Sequence, residues 1–327
     1  MSEVLVSSLC HELHDALSGH AIKGMSVANT LCRQTQEVSS RVALRYQAMT
    51  GRSLVSLLTF DSTEEYRQIL AQLCLPRLTF RTQVVHQGIL AIEEDAGIAD
   101  SIFLRIIAVL SPLSNAELYD LNLEYRRVFS SCLSTDIDLA ISRGSRNNPE
   151  LSGTRGDAIC RIFVSLLSAA RDEAVDSYGD ISAHIHTLMG SPSAEEATFS
   201  LIELLCARSR MSVCRLNDGG LNVLHVLQKL SNDGIIGPVL QTLFLAIYYS
   251  SYDQDLFWAY LLSQAISRAD TKLLHVTTLL GYDQATDLAT SYRTITGGRD
   301  LLADLQTTQA ESEVVVLGML LRIIQTE

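Results

Sequence analysis

The sequence predicts an all-α fold built from repeated units. Apolar residues recur at three-to-four-residue spacing along almost the whole chain, as they do in helices with one buried face. The 327 residues include only five prolines, the residue that most often interrupts helices. A group of similar residues also recurs along the chain. These observations favour a helical repeat architecture over a single conventional core.

The recurring group begins with a tyrosine in one predicted helix and ends with apolar residues that open the next. A weaker copy surrounds residues 224–230, where Gly219 and Gly220 stand at the position of the tyrosine. The unit is about 75 to 90 residues long, within the range of repeat architectures. The three clear copies are Tyr46 with Gly51, Arg52, Ser53 and Leu54; Tyr125 with Phe129, Ser130, Cys132 and Leu133; and Tyr292 with Gly297, Arg299, Asp300 and Leu301.

The segments that carry these copies, 13–34, 43–73, 116–142 and 287–305, resemble the helices of annexin repeats. The match is loose, as it is in the giardins, the divergent annexin-like proteins of diplomonad protists. The resemblance implies four repeats of about five helices each, arranged as a curved disc. The implied boundaries are 1–76, 77–172 with an exposed insertion near 143–157, 173–251 and 252–327.

The resemblance also implies calcium sites in loops between helices. In such a site, three backbone carbonyls from the first loop of a repeat and one carboxylate from the loop before its last helix hold the ion. In the first repeat, the matching residues are Leu17, Gly19 and Ala21 for the carbonyls and Asp61 for the carboxylate. Oxygen ligands of this kind suit calcium, which takes six to eight of them. Ala21 departs from the annexin pattern, which has a glycine there.

The second repeat offers a weaker set: carbonyls of Glu93, Asp95 and Gly97, with the carboxylate of Glu150. Asp95 stands where annexins have a glycine, and the insertion displaces Glu150. A structural interpretation without a metal also applies to all these positions. A glycine after a helix is commonly a plain C-cap, and an aspartate before Ser-Thr is commonly a turn residue.

The later repeats match the calcium pattern poorly. The third offers Met189, Ser191 and Asp233. In the fourth, residues Ser263–Ser267 contain no glycine, and Thr308 stands where the carboxylate belongs. We therefore expect no annexin-type site in the fourth repeat.

Composition restricts the class of partner. Twenty-five basic and 37 acidic residues leave a net charge of −12, which opposes binding to nucleic acid or to an anionic membrane by charge alone. Seven scattered cysteines without a CxxC pair favour free thiols in a reducing cytosol. The apolar run 239–249 is too short to span a bilayer. We therefore expect a cytoplasmic protein that meets membranes peripherally, with the oligomeric state left open.

Other constellations do not favour catalysis. Cys10, His11, Glu12 and His14 lack a zinc-ligand pattern, and Asp136 and Asp138 share one predicted helix. The sequence contains no phosphate loop, dinucleotide fingerprint or nucleophile elbow, so we predict a protein that is not an enzyme.

Three hypotheses remain at this stage. The first is calcium-dependent binding of anionic phospholipid through the loops on the convex face, with a possible link to the cytoskeleton. The second is a calcium-independent scaffold that binds cytoskeletal proteins and whose metal sites have degenerated. The third is a generic helical solenoid adaptor.

Overall fold

The computed structural model describes residues 3–18, 24–60, 64–94, 100–146, 148, 151, 153–168, 171, 185–186, 188–190, 193–209, 211–214 and 222–323. Throughout these residues the regular structure is helical, with no β-strand, so the all-α prediction is confirmed. No single helix among them is long and apolar enough to cross a membrane. Helices 100–110 and 115–129 meet that test only as a pair, bent by 114°.

The chain divides into two compact units, Met1–Arg81 with Leu262–Glu327, and Thr82–Leu261. Helices α6 and α14 cross the boundaries between them. The helices are α1 Glu3–Leu17, α2 Gly24–Cys32, α3 Gln36–Thr50, α4 Leu54–Thr59, α5 Glu65–Leu73, α6 Arg77–Glu94, α7 Asp100–Leu110, α8 Asn115–Phe129, α9 Leu133–Gly144, α10 Thr154–Leu167, α11 Ala194–Ile202 with a π-helical turn Glu203–Ala207, α12 Val223–Asn232, α13 Pro238–Tyr252, α14 Gln254–Ser267, α15 Thr271–Gly281, α16 Leu288–Thr296, α17 Leu301–Thr308 and α18 Glu311–Leu320.

The recurring sequence group has the same local structure in its three clear copies. Tyr46, Tyr125 and Tyr292 are each at most 3% exposed. Five residues after each tyrosine, the long helix ends at a C-cap in the left-handed backbone region. A short helix then begins within four residues. The caps are Gly51 at φ 71°, Ser130 at φ 54° and Gly297 at φ 71°.

Two of the three tyrosines also make the same hydrogen bond. The hydroxyl of Tyr125 donates to Asp136 Oδ2 at 2.9 Å, and that of Tyr292 donates to Asp304 Oδ2 at 2.7 Å. In each case the aspartate lies on the short helix that follows the cap, so one bond ties two successive helices together. A carboxylate acceptor makes such a bond stronger than one between neutral groups.

The apolar C-terminal stretch is buried against the first part of the chain, as its sequence predicts. Helix α18 packs against α2, α5 and α15 in the unit that contains both chain ends. Its buried face carries Val314, Val316, Leu317 and Leu320. Burying side chains of this size removes apolar surface that would otherwise favour aggregation.

Two local predictions are wrong. Leu5, expected on the buried face of α1, is 42% exposed, and Val6 and Cys10 lie in the core instead. The pair Ser62 and Glu65 reads as a capping box, but α5 begins at Glu65 with Glu64 at the N-cap and no side-chain cap. Glu65 is therefore the first helical residue and not the third that a capping box requires. The box predicted at Ser193 and Glu196 is confirmed.

The described residues of the predicted insertion 143–157 are partly helical and partly buried. Helix α9 runs to Gly144 and α10 begins at Thr154, and between them Asn148 and Leu151 are 5% and 3% exposed. A Cβ on Gly144 would lie 2.8 Å from the carbonyl oxygen of Ile92, so α6 and α9 meet closely there. The turn-forming composition of the segment does not reveal that two of its side chains, those of Asn148 and Leu151, are buried.

Candidate metal-binding loops

The first candidate calcium set is only partly within the described residues. Leu17 is the last residue of α1, so its carbonyl is among the four that have no N–H partner inside the helix. The C-terminal end of a helix also carries partial negative charge, which favours a cation. Gly19, Ala21 and Asp61 lie outside the described residues.

The residues that follow these two loops are in direct contact. Gly24 opens α2 after residues 19–23, and Tyr66 lies in the first turn of α5 after residues 61–63. A Cβ on Gly24 would overlap the hydroxyl oxygen of Tyr66 and lie 3.0 Å from its Cζ. Helices α2 and α5 pack against each other, and Tyr66 is 6% exposed. Gly24 and Tyr66, which closely follow the two predicted ligand segments in the chain, therefore lie side by side.

In the second candidate set, only Glu93 is described. It lies at the end of α6, and its Oε1 accepts from Arg143 Nη1 of α9 at 2.9 Å. The ends of α6 and α9 therefore meet. The guanidinium is a positive charge on the side chain of a residue whose carbonyl is a predicted cation ligand, and like charges repel. Asp95, Gly97 and Glu150 lie outside the described residues.

In the third set, a lysine contacts a carbonyl predicted to bind calcium. Lys229 Nζ on α12 donates to the carbonyl oxygen of Met189 at 2.7 Å. Asp233 is the C-cap residue of α12, and Ser191 lies outside the described residues. Because the ammonium holds this carbonyl, the donor set does not fit calcium.

The fourth set does not fit calcium either. Residues Ser263–Ser267 are the last turn of α14. Four residues later α15 begins, and the carboxylate of Asp270 caps it by accepting from Leu273 N at 2.9 Å. The hydroxyl of Thr308 donates to the carbonyl of Asp304 at 3.2 Å. The loop between α14 and α15 is short, and the side chains of Asp270 and Thr308 both make hydrogen bonds at helix ends.

A different group of potential metal ligands was missed by sequence reasoning. Glu65 of α5, His275 of α15 and Glu313 of α18 place one ligand atom each within 4.8 Å of one another. The three residues are separated by 210 and 38 positions in the chain, so no local spacing pattern could identify them. They meet only because α5 packs against both α15 and α18.

One exposed cysteine has an acidified thiol. Cys132 is the N-cap of α9, and its Sγ lies 3.3 Å from the hydroxyl of Ser134. Hydrogen bonds from the Ser134 side chain, and then from Thr135, lower the pKa of this thiol to about 7. Burial has the opposite effect on Cys32, Cys74 and Cys206, whose pKa values rise to about 12. All seven cysteines are free thiols.

Other groups considered from the sequence have structural contacts. Cys10 is buried and donates to the carbonyl of Val42 at 3.5 Å. Asp136 accepts from Tyr125 and, at 2.6 Å, from the hydroxyl of Ser131. Tyr248 is buried and stacks on Tyr252 with ring centroids 5.6 Å apart. The contacts of Cys10 and Tyr125 join neighbouring helices, whereas Tyr248 and Tyr252 stack within one helix, α13.

Comparison with known proteins identifies the fold. No protein-family model matches the chain, and no curated protein matches it in sequence. Solved structures match over almost its whole length. They include calcium-bound alpha-1 giardin (TM-score 0.77, 15% identity, 98% of this chain and 99% of that one). Calcium-bound alpha-14 giardin matches with TM-score 0.77, 11% identity and coverages of 97% and 99%. The K16A mutant of annexin A8 matches with TM-score 0.76, 16% identity and coverages of 98% and 96%. The chain therefore has the fold of annexins and alpha-giardins.

Proposed function

We propose that this chain, which has the annexin fold, is a divergent member of the annexin family that binds anionic phospholipid surfaces in the presence of calcium. The observation that supports the proposal is the contact between Gly24 and Tyr66, residues that closely follow the two predicted ligand segments of the first repeat in the chain. Calcium-bound structures of alpha-1 and alpha-14 giardin have the same fold. The proposal includes four repeats with the boundaries 1–76, 77–172, 173–251 and 252–327.

The principal site in this proposal uses the carbonyls of Leu17, Gly19 and Ala21 and the carboxylate of Asp61. Bound calcium would leave coordination positions open for a lipid phosphoryl oxygen. The protein's part is to supply an incomplete oxygen shell at the negative end of the α1 dipole. Lipid then tightens calcium binding and calcium tightens lipid binding by the same factor.

The second set, Glu93, Asp95, Gly97 and Glu150, is the weaker member of the proposal. The ion pair between Arg143 and the Glu93 side chain supports this ranking, because a guanidinium near a ligand residue disfavours a cation. The third and fourth repeats contribute no annexin-type calcium site in this proposal, since Lys229 holds the carbonyl of Met189 and Asp270 caps a helix. Calcium binding is thus concentrated in the first repeat. The net charge of −12 makes a bridging cation necessary at an anionic surface.

The test is sedimentation with phosphatidylserine vesicles in calcium and in chelator. The protein should pellet in calcium only, and Asp61→Asn should raise the calcium concentration needed for half-maximal pelleting by about tenfold, as loss of a charged ligand predicts. Asp120→Asn is the matched control, because Asp120 is an exposed residue of α8. Equal pelleting with and without calcium, or an unchanged midpoint in Asp61→Asn, would contradict the proposal.

A second candidate function is a calcium-independent scaffold that binds cytoskeletal proteins. The contact of Lys229 with Met189 favours it, because an ammonium bonded to this carbonyl competes with a metal ion for the same oxygen. Cosedimentation with polymerised tubulin in chelator distinguishes the two functions. Binding that calcium does not alter, together with no binding to vesicles, would favour the scaffold. Either function is one of binding, without catalysis, at a cytoplasmic surface.

A further inference from the structure

The strongest unassigned feature is the cluster of Glu65, His275 and Glu313. Glu313 lies in the first turn of α18, and its side chain is only 6% exposed, while that of His275 is 15% exposed. Nε2 of His275 contacts Oε1 of Glu313 directly. Glu65 is exposed and closes the group from the solvent side, with all three ligand atoms within 4.8 Å of one another.

The charges of this cluster call for a cation. A carboxylate that is removed from water costs several kcal/mol unless an opposite charge or a metal compensates it. A metal ion binds the neutral form of imidazole. Two carboxylates beside one neutral imidazole carry a charge of −2, which a divalent metal ion balances.

The ligand types select the class of metal. We propose that Glu65, His275 and Glu313 bind a zinc-class divalent ion, with water in the remaining position. Imidazole nitrogen and carboxylate oxygen suit zinc, at about 2.0 to 2.2 Å from the metal. In a tetrahedral shell of that radius, ligand atoms lie about 3.4 Å apart. The side chain of Glu65 is exposed, so it can rotate toward His275 and Glu313 until the ligand atoms reach this separation. Calcium is disfavoured because it takes six to eight oxygens.

Such a site has a structural consequence. Glu65 belongs to the predicted first repeat, and His275 and Glu313 belong to the predicted fourth. Helix α5 already packs against α15 and α18, so the ion would join the two ends of the chain by coordinate bonds. Zinc would therefore stabilise the folded protein, because it binds the assembled ligands and not the separated ones.

The test is calorimetric titration of zinc into chelator-treated, dialysed protein that carries Cys132→Ser, so that the exposed thiol does not compete. We expect one site that Glu65→Gln weakens at least about tenfold, since even partners of metal ligands contribute that much. Glu311→Gln is the matched control: it makes the same charge change at an exposed residue in the first turn of α18, close to Glu313, and should leave the affinity unchanged.

A second variant and a second metal keep the result independent of folding. His275→Gln, with folding verified by circular dichroism, should abolish the visible absorption of bound cobalt, which reports coordination geometry. Zinc should also raise the unfolding temperature of the parent protein but not that of Glu65→Gln. Absence of zinc binding in the parent, or equal zinc affinity in Glu65→Gln and the parent, would overturn the proposal and leave His275 and Glu313 a simple hydrogen-bonded pair. The zinc and cobalt experiments contain no vesicles, so their outcome is separate from that of the lipid experiment.

Discussion

The ammonium of Lys229 donates a hydrogen bond of 2.7 Å to the carbonyl oxygen of Met189, although the two residues lie 40 positions apart. This carbonyl belongs to the loop where an annexin-type third repeat would hold calcium. A protein cation thus occupies a place predicted for a metal cation. The bond joins α12 to this loop without a metal ion.

Removing this ammonium should lower stability and leave calcium-dependent lipid binding unchanged. Lys229→Met should reduce the free energy of unfolding by about 1.5 to 3 kcal/mol, the value of a hydrogen bond to a charged group. Urea denaturation measures the loss, and vesicle sedimentation measures the calcium midpoint. Lys272→Met, at an exposed position of α15, is the control and should change neither. A weakened calcium response in Lys229→Met alone would mean that the third repeat does contribute to the response.

Adding one methyl group at Gly24 should destabilise the protein through Tyr66. In Gly24→Ala the new Cβ would overlap the tyrosine hydroxyl, and overpacking of this kind costs about 1 to 3 kcal/mol. Combining it with Tyr66→Phe removes the overlapping oxygen and should restore part of the loss. Urea denaturation of both single variants and the double variant gives the coupling energy. Strictly additive losses would show that the two residues do not meet.

Stability should decline at alkaline pH because of buried tyrosines. Burial first, and then the hydrogen bonds to Asp136 and Asp304, raise the pKa values of Tyr125 and Tyr292 above the ordinary 10.0. Above that pH the unfolded chain releases these protons while the folded chain retains them. The stabilisation is therefore complete below about pH 10 and falls as the pH rises, by up to about 1.4 kcal/mol per pH unit for each tyrosine.

Urea denaturation at several pH values between 8 and 11 measures this slope. The double variant Tyr125→Phe with Tyr292→Phe is less stable at pH 8, but its stability should fall less steeply above pH 10. The remaining slope includes the buried cysteines, whose pKa values are also raised. An equal slope in the variant and the parent would refute the assignment to these two tyrosines.

Cys132 should be the first cysteine to react with an alkylating agent. Its thiol is exposed and its pKa is lowered to about 7, so a large fraction is the nucleophilic thiolate at pH 7.5. Peptide mass spectrometry after brief treatment with iodoacetamide identifies the modified residue. Ser134→Ala should slow the reaction, because the hydrogen bond from Ser134 is the main cause of the shift. Faster labelling of Cys160, whose pKa is raised to about 11, would contradict this prediction.

Helix content and repetition are readable from the sequence because their causes are local. The left-handed caps five residues after Tyr46, Tyr125 and Tyr292 follow from residues that are neighbours in the chain. The capping box at Ser193 is equally local. The wrong prediction at Ser62 and Glu65 also concerns neighbouring residues. It arose because a three-residue pattern does not decide which residue begins a helix.

What the sequence by itself determined is therefore the all-helical repeat and the segments that are predicted to supply the calcium ligands. Only the tertiary structure decided which charged groups meet. Lys229 contacts Met189, Arg143 contacts Glu93, and Glu65 joins His275 and Glu313, each across dozens to hundreds of residues. The physical reason is that these meetings depend on the packing of helices distant in the chain, and periodicity within a helix specifies its buried face but not the neighbour that covers it.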